Sequence, residues 1–396
     1  MKRICFLVDS VFSIGGVQRV TAVIAKALAS HYHVTIVTLD APSHHDTSLY
    51  DLSQSPIAFR HFAYPRVSRL TTLLCRAYSA VYRKLLYRLP PPFALFFSDL
   101  YAHSSFPAKL RRALQDELLS GHYDTIVGVH APLAVRLATI RKSLPGVRLI
   151  GWIHNSFEAL YGSTSLYIGP DRQRHYVYQL RRLHATVVLS LADAQAYTGY
   201  DPAFHPVVIH NPLTLTPGPR SQGVSHQFLA VGRFSRRHKG FDLLIEAFHL
   251  FAARDSQWTL HIVGEGSEEP LYRQLIQRYG LQERVLLHPF TSDIQAYYSQ
   301  AQVYVLSSRW EGFGLVLVEA MAHGLPVVSS DLPTSLEIMG PAGIYFENGN
   351  VEQLAQRLYE STHMNWRQKS DECYAMATHF AVDDIVAQWR NIIDAL

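Results

Sequence analysis

The sequence predicts an α/β protein with two doubly wound parallel-sheet domains. Short apolar runs alternate with helix-length amphipathic segments along the chain, a pattern typical of parallel sheets covered by helices. Proline, glycine, serine and threonine cluster once, over residues 211–223, which we interpret as a linker. The 396-residue length also exceeds what one hydrophobic core usually supports. We therefore expect an N-terminal domain over 1–205, a C-terminal domain over 206–380 and a final helix over 381–396.

The elements of the first half begin with a βαβ unit. Its parts are the strand RICFLV, the helix RVTAVIAKALAS and the strand HVTIVTL. Four further apolar runs are predicted strands: YDTIVGVH, VRLIGWIH, ATVVLS and HPVVIH. Parallel strands joined by right-handed crossovers end at one edge of the sheet, where doubly wound domains bind ligands.

The second half repeats this alternation. Its predicted strands are QFLAVGRF, WTLHIVG, RVLLHPF, QVYVLSS and PVVSS. The helices predicted between them include FDLLIEAFHLFAA, PLYRQLIQRYG and DIQAYYSQA. The last segment, VDDIVAQWRNIIDAL, has the spacing of an amphipathic helix.

Composition excludes several classes of protein. The chain is 48% hydrophobic and 17% charged, as in ordinary globular proteins. Its three cysteines have no paired spacing, so we expect a reducing compartment without disulfides. The first apolar run ends at Asp9, too early for a signal peptide, and no run reaches the roughly 20 apolar residues of a membrane span. These features predict a cytoplasmic protein.

Charge is distributed unevenly between the halves. Residues 1–205 contain 22 Lys/Arg against 12 Asp/Glu, whereas residues 206–396 contain 14 against 20. Most of the positive excess lies in residues 60–112, where ten basic residues accompany only Asp99. We therefore predict a basic insertion over about 66–112 that meets an anionic partner.

Basic and apolar residues interleave from Arg66 to Arg88. On a helix, Leu70, Leu73, Leu74, Val81 and Leu85 would share much of one face. A basic amphipathic segment of this kind can lie on an anionic bilayer. The alternative is a surface helix that packs its apolar face on the N-terminal domain.

The most specific motif is EGFGLVLVEAMAHGLPVV, residues 311–328. A buried strand precedes it, and apolar residues at helical spacing follow Gly314. The glycines therefore lie in a strand-to-helix turn whose amide groups can face an anion. Glu311 precedes the turn, and Glu319 lies about one turn into the helix, so both carboxylates can reach one ligand. A phosphate between two hydroxyl-bearing groups, as in a nucleotide-sugar, suits this arrangement.

A second candidate segment is the loop GRFSRRHKG, which contains Arg233 and Lys239. It follows a predicted strand, at the edge where doubly wound domains bind ligands. Arginine can clamp phosphate with two hydrogen bonds and lysine supplies a point charge. We attribute Arg236 and Arg237 to a solvated basic loop.

At these residues the chain resembles the retaining glycosyltransferases of family 4, which have the GT-B fold. The matching positions are Glu311, Phe313, Glu319, Ala320, Met321, Gly324, Pro326, Val327 and Val328. Ser307 replaces the usual proline before the serine. The resemblance is strong after residue 205 and loose before it. It implies two Rossmann-like domains facing a central cleft, with the last helix crossing back to the first domain.

The resemblance also implies roles for the site residues. Arg233, Lys239 and the amides of Gly314 and Leu315, beside Phe313, would hold the donor diphosphate. Glu311 would hold the donor sugar and Glu319 the ribose.

Three weaker candidates complete the predicted site. Gly15 and Gly16 open the first helix and would offer amides to the donor phosphate or the acceptor, unless they form a plain tight turn. His154 ends a strand where relatives carry a histidine that contacts the donor, and His130 competes for that role. Gly264 and Gly266 would let a loop pass close to the nucleotide or simply form a turn.

The predicted function is transfer of a hexose from a UDP-sugar to a saccharide acceptor with retention, without a metal or a further cofactor. The acceptor would be lipid-linked, as in precursors of lipopolysaccharide, O-antigen or exopolysaccharide. The enzyme would lie peripherally on the cytoplasmic face of the inner membrane, and we expect no nucleic-acid partner. Two alternatives stay open: a non-catalytic binder of nucleotide-sugars or anionic glycolipids, and a GT-B epimerase.

Overall fold

The chain folds into two parallel β-sheets, each covered by helices. The computed structural model describes residues 1–90, 92–163, 165 and 167–395. Pro91 of the predicted insertion and Leu396 of the predicted last helix lie outside these residues. One unit comprises Met1–Asn211 with the C-terminal residues from Val382, and the other comprises Pro212–Ala381. The boundary predicted at residue 205 is thus too early, because a strand after it pairs with the first sheet.

In the first unit the described residues form a seven-stranded sheet of order β3-β2-β1-β4-β5-β6-β7. Its strands are β1 (Arg3–Val8), β2 (His33–Thr38), β3 (Ala58–His61), β4 (Thr125–Val129), β5 (Arg148–Trp152), β6 (Ala185–Val188) and β7 (Val207–Val208). The helices along this part of the chain are α1 (Gly16–Leu28), α2 (Arg69–Lys84), α3 (Phe93–Ser105), α4 (Ala108–Ser120), α5 (Ala131–Ile140), α6 (Phe157–Tyr161), α7 (Pro170–Leu180) and α8 (Leu191–Tyr200).

The second unit has a six-stranded sheet among its described residues, of order β10-β9-β8-β11-β12-β13. Its strands are β8 (Gln227–Val231), β9 (Thr259–Val263), β10 (Val285–His288), β11 (Val303–Leu306), β12 (Val327–Ser330) and β13 (Ile344–Phe346). Its helices are α9 (Arg236–Lys239), α10 (Phe241–Ala252), α11 (Glu269–Arg278), α12 (Ile294–Gln300), α13 (Leu315–Ala322), α14 (Pro333–Met339), α15 (Val351–His363) and α16 (Trp366–Thr378).

The last helix, α17 (Val382–Ala395), belongs to the first unit, as predicted. Trp389 is buried and packs edge-on against Trp152 of β5, with ring centroids 4.7 Å apart. Lys2 donates to the carbonyl of Ile393 at 3.0 Å, and Tyr32 donates to Asp394 at 2.7 Å. The apolar stripe of α17 is therefore buried against the first sheet.

Strand order reverses direction once in each sheet, between β1 and β4 in the first and between β8 and β11 in the second. Loops that leave two neighbouring strands at such a reversal diverge and open a crevice at the carboxyl edge. The segments that follow β8 and β11 carry Lys239 and Glu311, so the second sheet places these residues at its reversal.

The predicted basic insertion forms α2 and α3, which pack on each other and on α7. Tyr82 is fully buried and stacks on Tyr101, with centroids 4.3 Å apart. Ser98 of α3 lies 2.9 Å from Nδ1 of the buried His175 of α7. The insertion is thus fixed through tyrosines and a polar contact, and the leucines predicted to form its apolar face are exposed.

Candidate active site

Lys239 and Glu311 meet at the strand reversal of the second unit. Lys239 ends α9, and Gly240 follows with a φ of 63°, which lets the chain turn into α10. The Nζ atom of Lys239 lies 2.6 Å from Oε1 of Glu311. Their side chains are 12% and 8% exposed, respectively, so the two charges are paired in a largely desolvated place.

Two further side chains contact Glu311, and a third packs on one of them. Ser308 donates to Oε1 at 2.6 Å, and Nε2 of His238 lies 3.6 Å from Oε2. The ring of His238 stacks on Trp310 at an interplanar angle of 14°. Burial alone raises the pKa of Glu311, but the charge of Lys239 and the contact with His238 together lower it well below its ordinary value. Glu311 is therefore a permanent carboxylate, suited to accepting hydrogen bonds and unsuited to donating a proton.

The arginines of the same loop divide into two groups. Arg233 is exposed, and none of the contacts described for this chain engages its guanidinium. Arg236 forms an ion pair with Asp242 at 3.0 Å, and Arg309 binds the same carboxylate. The structure thus pairs Arg236 with the first turn of α10 and leaves Arg233 accessible to an anion.

The helix after Glu311 begins as predicted. Gly314 has a φ of 85° and precedes α13, so glycine is required where the chain turns into the helix. The first-turn amides of α13 point out of its N-terminal end, where an anion is favoured. Phe313 is buried against Phe380, with centroids 5.7 Å apart, so its side chain packs in the interior.

Glu319 is buried on α13 and accepts a hydrogen bond from the hydroxyl of Tyr298 at 2.9 Å. Tyr304 of β11 is also buried. Burial raises the pKa of Tyr304 well above its ordinary value, and the charges of Glu311 and Glu319 add to this effect. Both glutamates therefore lie close enough to Tyr304 for their charges to act on it.

Gly264 and Gly266 pack directly against the loop after β8. A Cβ atom at Gly264 would lie 1.9 Å from the carbonyl oxygen of Gly232, and one at Gly266 would lie 2.5 Å from that of Phe234. The backbone amide of Phe234 donates to the backbone carbonyl of Glu265 at 2.7 Å. The two glycines therefore allow close packing of neighbouring loops, which accounts for both without a ligand.

In the first unit, Gly15 and Gly16 lie at the start of α1. The amide of Gly15 donates to the hydroxyl of Tyr50 at 3.0 Å, and that hydroxyl donates to the carbonyl of Ser13 at 3.0 Å. Tyr50 has a φ of 57°, uncommon for a side chain of this size. The glycine turn is thus braced by a tyrosine from the segment after β2.

His154 and His130 follow the paired strands β5 and β4. Their ring centroids are 5.4 Å apart, and His154 also packs on Trp152 at 4.3 Å. Burial lowers the pKa of His154 well below its ordinary value, and the neighbouring His130 adds to the shift. Burial likewise lowers the pKa of His130. Both candidates are therefore neutral imidazoles at the carboxyl edge of the first sheet.

The sequence analysis did not identify four side chains of this site. They are His238 and Ser308 beside Glu311, Trp310 against His238, and Tyr298 beside Glu319. The first three are sequence neighbours of Lys239 or Glu311, and that proximity is the signal that could have identified them. Tyr298 lies on α12 and carries no such signal. Within the described part of the chain, no group of three or more His, Cys, Asp or Glu is placed to hold a metal ion.

Family models match both units. The model described as "Glycosyltransferase Family 4" matches residues 14–216, and the model described as "Glycosyl transferases group 1" matches residues 225–362. The chain belongs to glycosyltransferase family 4. It is therefore a glycosyltransferase, and Lys239 and Glu311 lie within the second matched region.

Solved structures agree with the predicted fold. The structure of Anabaena Alr3699/HepE in complex with UDP and glucose has a TM-score of 0.74 and 21% identity, with all of both chains covered. The apo structure of the lipopolysaccharide outer core galactosyltransferase WaaB has a TM-score of 0.67 and 17% identity over 99% of each chain. These likenesses and the two doubly wound units confirm the GT-B fold.

Several relatives by sequence are named as glycosyltransferases. An uncharacterised glycosyltransferase of Haemophilus influenzae is 24% identical over 99% of this chain and 100% of its own length. The poly(ribitol-phosphate) α-N-acetylglucosaminyltransferase of Staphylococcus aureus is 27% identical over 42% of this chain and 35% of its own length. The amylovoran biosynthesis glycosyltransferase AmsD of Erwinia amylovora is 29% identical over 43% of this chain and 44% of its own length.

Proposed function

We propose that this glycosyltransferase moves a hexose from a UDP-sugar to a hydroxyl of a lipid-linked saccharide, with retention of configuration and without a metal ion. The observation that carries the proposal is the contact between Lys239 and Glu311 at the strand reversal of the second sheet. It joins a cation for the diphosphate and a carboxylate for sugar hydroxyls at the edge where doubly wound domains bind nucleotides.

Arg233 and Lys239 are proposed to hold the diphosphate. Arg233 is exposed on the loop after β8, and Lys239 ends the same loop. The N-terminal amides of α13 supply further donors for phosphate oxygens. These groups can neutralise the diphosphate in place of a metal. A HepE structure described as a complex with UDP-glucose supports UDP as the nucleotide.

The chemical step follows from the charge state of Glu311. Because its pKa is held well below the ordinary value, Glu311 accepts hydrogen bonds from the donor sugar instead of protonating a leaving group. In the proposed step, the bond from the anomeric carbon to the diphosphate breaks and a bond to the acceptor oxygen forms on the same face. The departing phosphate takes the acceptor proton, and the cations and amides stabilise its charge.

Glu319 and His154 have supporting roles in the proposal. Glu319 is buried and oriented by Tyr298, so its carboxylate is a fixed acceptor for the ribose hydroxyls. His154, a neutral imidazole, would offer a ring nitrogen to the donor sugar, because its Nε2 atom is buried with no hydrogen-bond partner among the described residues. Gly15 and Gly16, braced by Tyr50, would contact the donor phosphate or the acceptor.

A surface-glycan acceptor is supported by the relatives. Their names refer to poly(ribitol-phosphate), to amylovoran and to the lipopolysaccharide outer core. An enzyme that extends a lipid-linked precursor of such a polymer would work at a membrane surface.

The helices α2 and α3 are the proposed contact with that surface, the cytoplasmic face of the inner membrane. Leu70 is 67% exposed and Phe96 is 62% exposed. Leu73, Leu74, Leu85 and Phe93 are exposed as well. These six large apolar side chains lie on or beside two helices that pack on each other, and exposed apolar side chains that cluster mark interaction surfaces. Among the described residues, none of the helices is long and apolar enough to cross a bilayer.

The positive charge of α2 and its C-terminal neighbours favours binding of this surface to an anionic bilayer. Arg69, Arg76, Lys84 and Arg88 are exposed beside the apolar residues. Asp99, the acidic residue of this region, is engaged by Arg182. Each basic residue near an anionic surface contributes on the order of 1 kcal/mol. The apolar side chains would then enter the interface between headgroups and acyl chains.

The activity test is UDP release from UDP-sugars with and without a lipid-linked saccharide acceptor. Transfer to the acceptor, with the donor's anomeric configuration in the product and undiminished by a chelator, is the expected result. Conversion of the free UDP-sugar to an isomer would identify an epimerase, and binding without turnover on a panel of acceptors would identify a non-catalytic binder.

The membrane test is co-sedimentation with vesicles of neutral or anionic lipid. We expect salt-sensitive binding to anionic vesicles that is lost when Arg69, Arg76 and Lys84 are changed to Glu. Arg83 is left intact because it pairs with Asp171. Changing the exposed Arg237 of the second unit to Glu is the matched control. Equal binding to neutral and anionic vesicles, or none to either, would contradict the surface proposal.

A further inference from the structure

One carboxylate, that of Glu311, is approached by two side chains that can carry positive charge. Lys239 contacts Oε1 at 2.6 Å, and Nε2 of His238 lies 3.6 Å from Oε2. The two approaches use different oxygens, so one can strengthen while the other is given up. Ser308 donates to Oε1 in addition.

If a diphosphate enters the site, it competes with the carboxylate of Glu311 for the ammonium group of Lys239. That group is a point charge on a flexible stem, so it can turn from the carboxylate toward a phosphate oxygen. Glu311 is only 8% exposed, and a buried carboxylate without a counter-charge is strongly disfavoured. Movement of Lys239 to the phosphate therefore requires a second cation at Glu311.

We propose that His238 is a positioning residue that takes over the charge of Glu311 when the donor diphosphate draws Lys239 away. The inference rests on the proposed function, because it needs a nucleotide-diphosphate donor in this site. The ring of His238 is held flat against Trp310, with centroids 5.3 Å apart. Its Nε2 atom is buried and has no hydrogen-bond partner among the described residues, so it is available to close on Oε2.

This exchange, in which His238 replaces Lys239 as the counter-charge of Glu311, is called the handover below. It predicts a pH dependence of donor binding. The other charged groups around the loop are Lys239, the exposed Arg233, Arg237 and Glu265, and the cluster in which Arg236 and Arg309 pair with Asp242. Among the types of side chain around Glu311, histidine is the one whose charge can change near neutral pH. In the proposal, protonated His238 replaces Lys239 beside Glu311. Donor binding therefore draws a proton onto the protein and weakens as the pH rises.

The test measures binding of UDP-glucose to the full-length protein by calorimetry. UDP-glucose is preferred to UDP because its diphosphate is esterified at both ends and releases no proton near neutrality. We expect the wild-type Kd to rise roughly tenfold from about pH 6 to about pH 8. In His238→Gln, which keeps a hydrogen-bond donor without the charge, the Kd should be nearly independent of pH.

A second measurement reports the proton itself. Binding enthalpies in two buffers of different ionisation enthalpy should show proton uptake by the wild type at about pH 7 and none by His238→Gln. Trp310→Leu keeps the imidazole of His238 but removes the indole ring on which it stacks. The Kd of this variant should therefore depend less on pH than that of the wild type. His363→Gln removes an exposed imidazole from α15 of the same unit and should match the wild type.

The outcomes separate two failures. If His238→Gln binds UDP-glucose with the wild-type pH dependence and proton uptake, the handover is wrong while the proposed donor stands. If the wild-type protein binds neither UDP-glucose nor any other nucleotide-diphosphate sugar, the proposed function is wrong, and the handover fails with it.

Discussion

Replacing Lys239 with methionine removes a charge that lies 2.6 Å from Glu311 while keeping most of the length of the side chain. At an effective dielectric constant of about 20, the attraction between unit charges at this separation is on the order of 6 kcal/mol. Desolvation of the two groups offsets much of that, and removing one partner of a buried pair typically costs about 3–5 kcal/mol. Because Ser308 and His238 also contact Glu311, we expect Lys239→Met to lower the free energy of unfolding by about 3 kcal/mol, the lower end of this range.

The pair should show coupling in a double-mutant cycle. Lys239→Met and Glu311→Gln should each destabilise the second unit, and the double variant should lose at least about 2 kcal/mol less than the sum of the two. Because the pKa of Glu311 is lowered, its charge stabilises the fold above the ordinary glutamate pKa of about 4.3. The coupling should persist at neutral pH and disappear as the pH falls through the lowered pKa.

The assay is urea-dependent hydrogen exchange of peptides from β8 and β11, which follows the second unit separately. Arg233→Met, which removes an exposed arginine from the same loop, is the matched control and should leave stability unchanged. A coupling energy within error of zero at neutral pH would refute the reasoning, because it would mean that Lys239 and Glu311 do not stabilise each other.

Four further predictions follow from the site and the core. Arg233→Ala should weaken UDP-sugar binding by about ten- to a hundredfold, as expected for a lost charge-assisted contact. An unchanged Kd in calorimetry would show that Arg233 does not bind the diphosphate. Glu319→Gln should weaken UDP itself, whereas Glu311→Gln should lower turnover more than UDP affinity; equal losses in both assays would contradict the division of roles. Burial lowers the pKa of His175 to about 3, so as the pH falls the unfolded state binds a proton at this residue before the folded state does. The free energy of unfolding should therefore decrease below about pH 6.5, by about 2 kcal/mol at pH 5. Urea denaturation of His175→Phe should lack this decrease. Gly264→Ala should disrupt the packing against Gly232 and lower the Tm, whereas Gly199→Ala, on α8 where a side chain has open space, should not.

Most of the fold could be predicted from apolar periodicity. Strands that are buried on both faces, such as β4 and β11, stand out as continuous apolar runs. Two strands were not predicted, β3 and β13. Both are short, partly exposed edge strands, so neither stands out as a continuous apolar run.

The candidate site was predicted in part. Arg233, Lys239, Glu311 and Glu319 lie on segments whose spacing after a strand indicates phosphate and hydroxyl recognition. The spacing could not show that Lys239 binds Glu311 in the absence of a ligand, or that Tyr298 binds Glu319. Such contacts join residues far apart in the chain, and only the strand order brings them together.

The sequence by itself determined the alternation of strands and helices, the glycine turn before α13 and the family, because these depend on local spacing and on residue types. The tertiary structure decided which charges meet and which apolar residues remain exposed. Leu70 and Tyr82 both lie on α2, yet Leu70 is exposed while Tyr82 is fully buried beside His175. Periodicity identifies a face of a helix, but the neighbours supplied by the fold decide whether that face is buried.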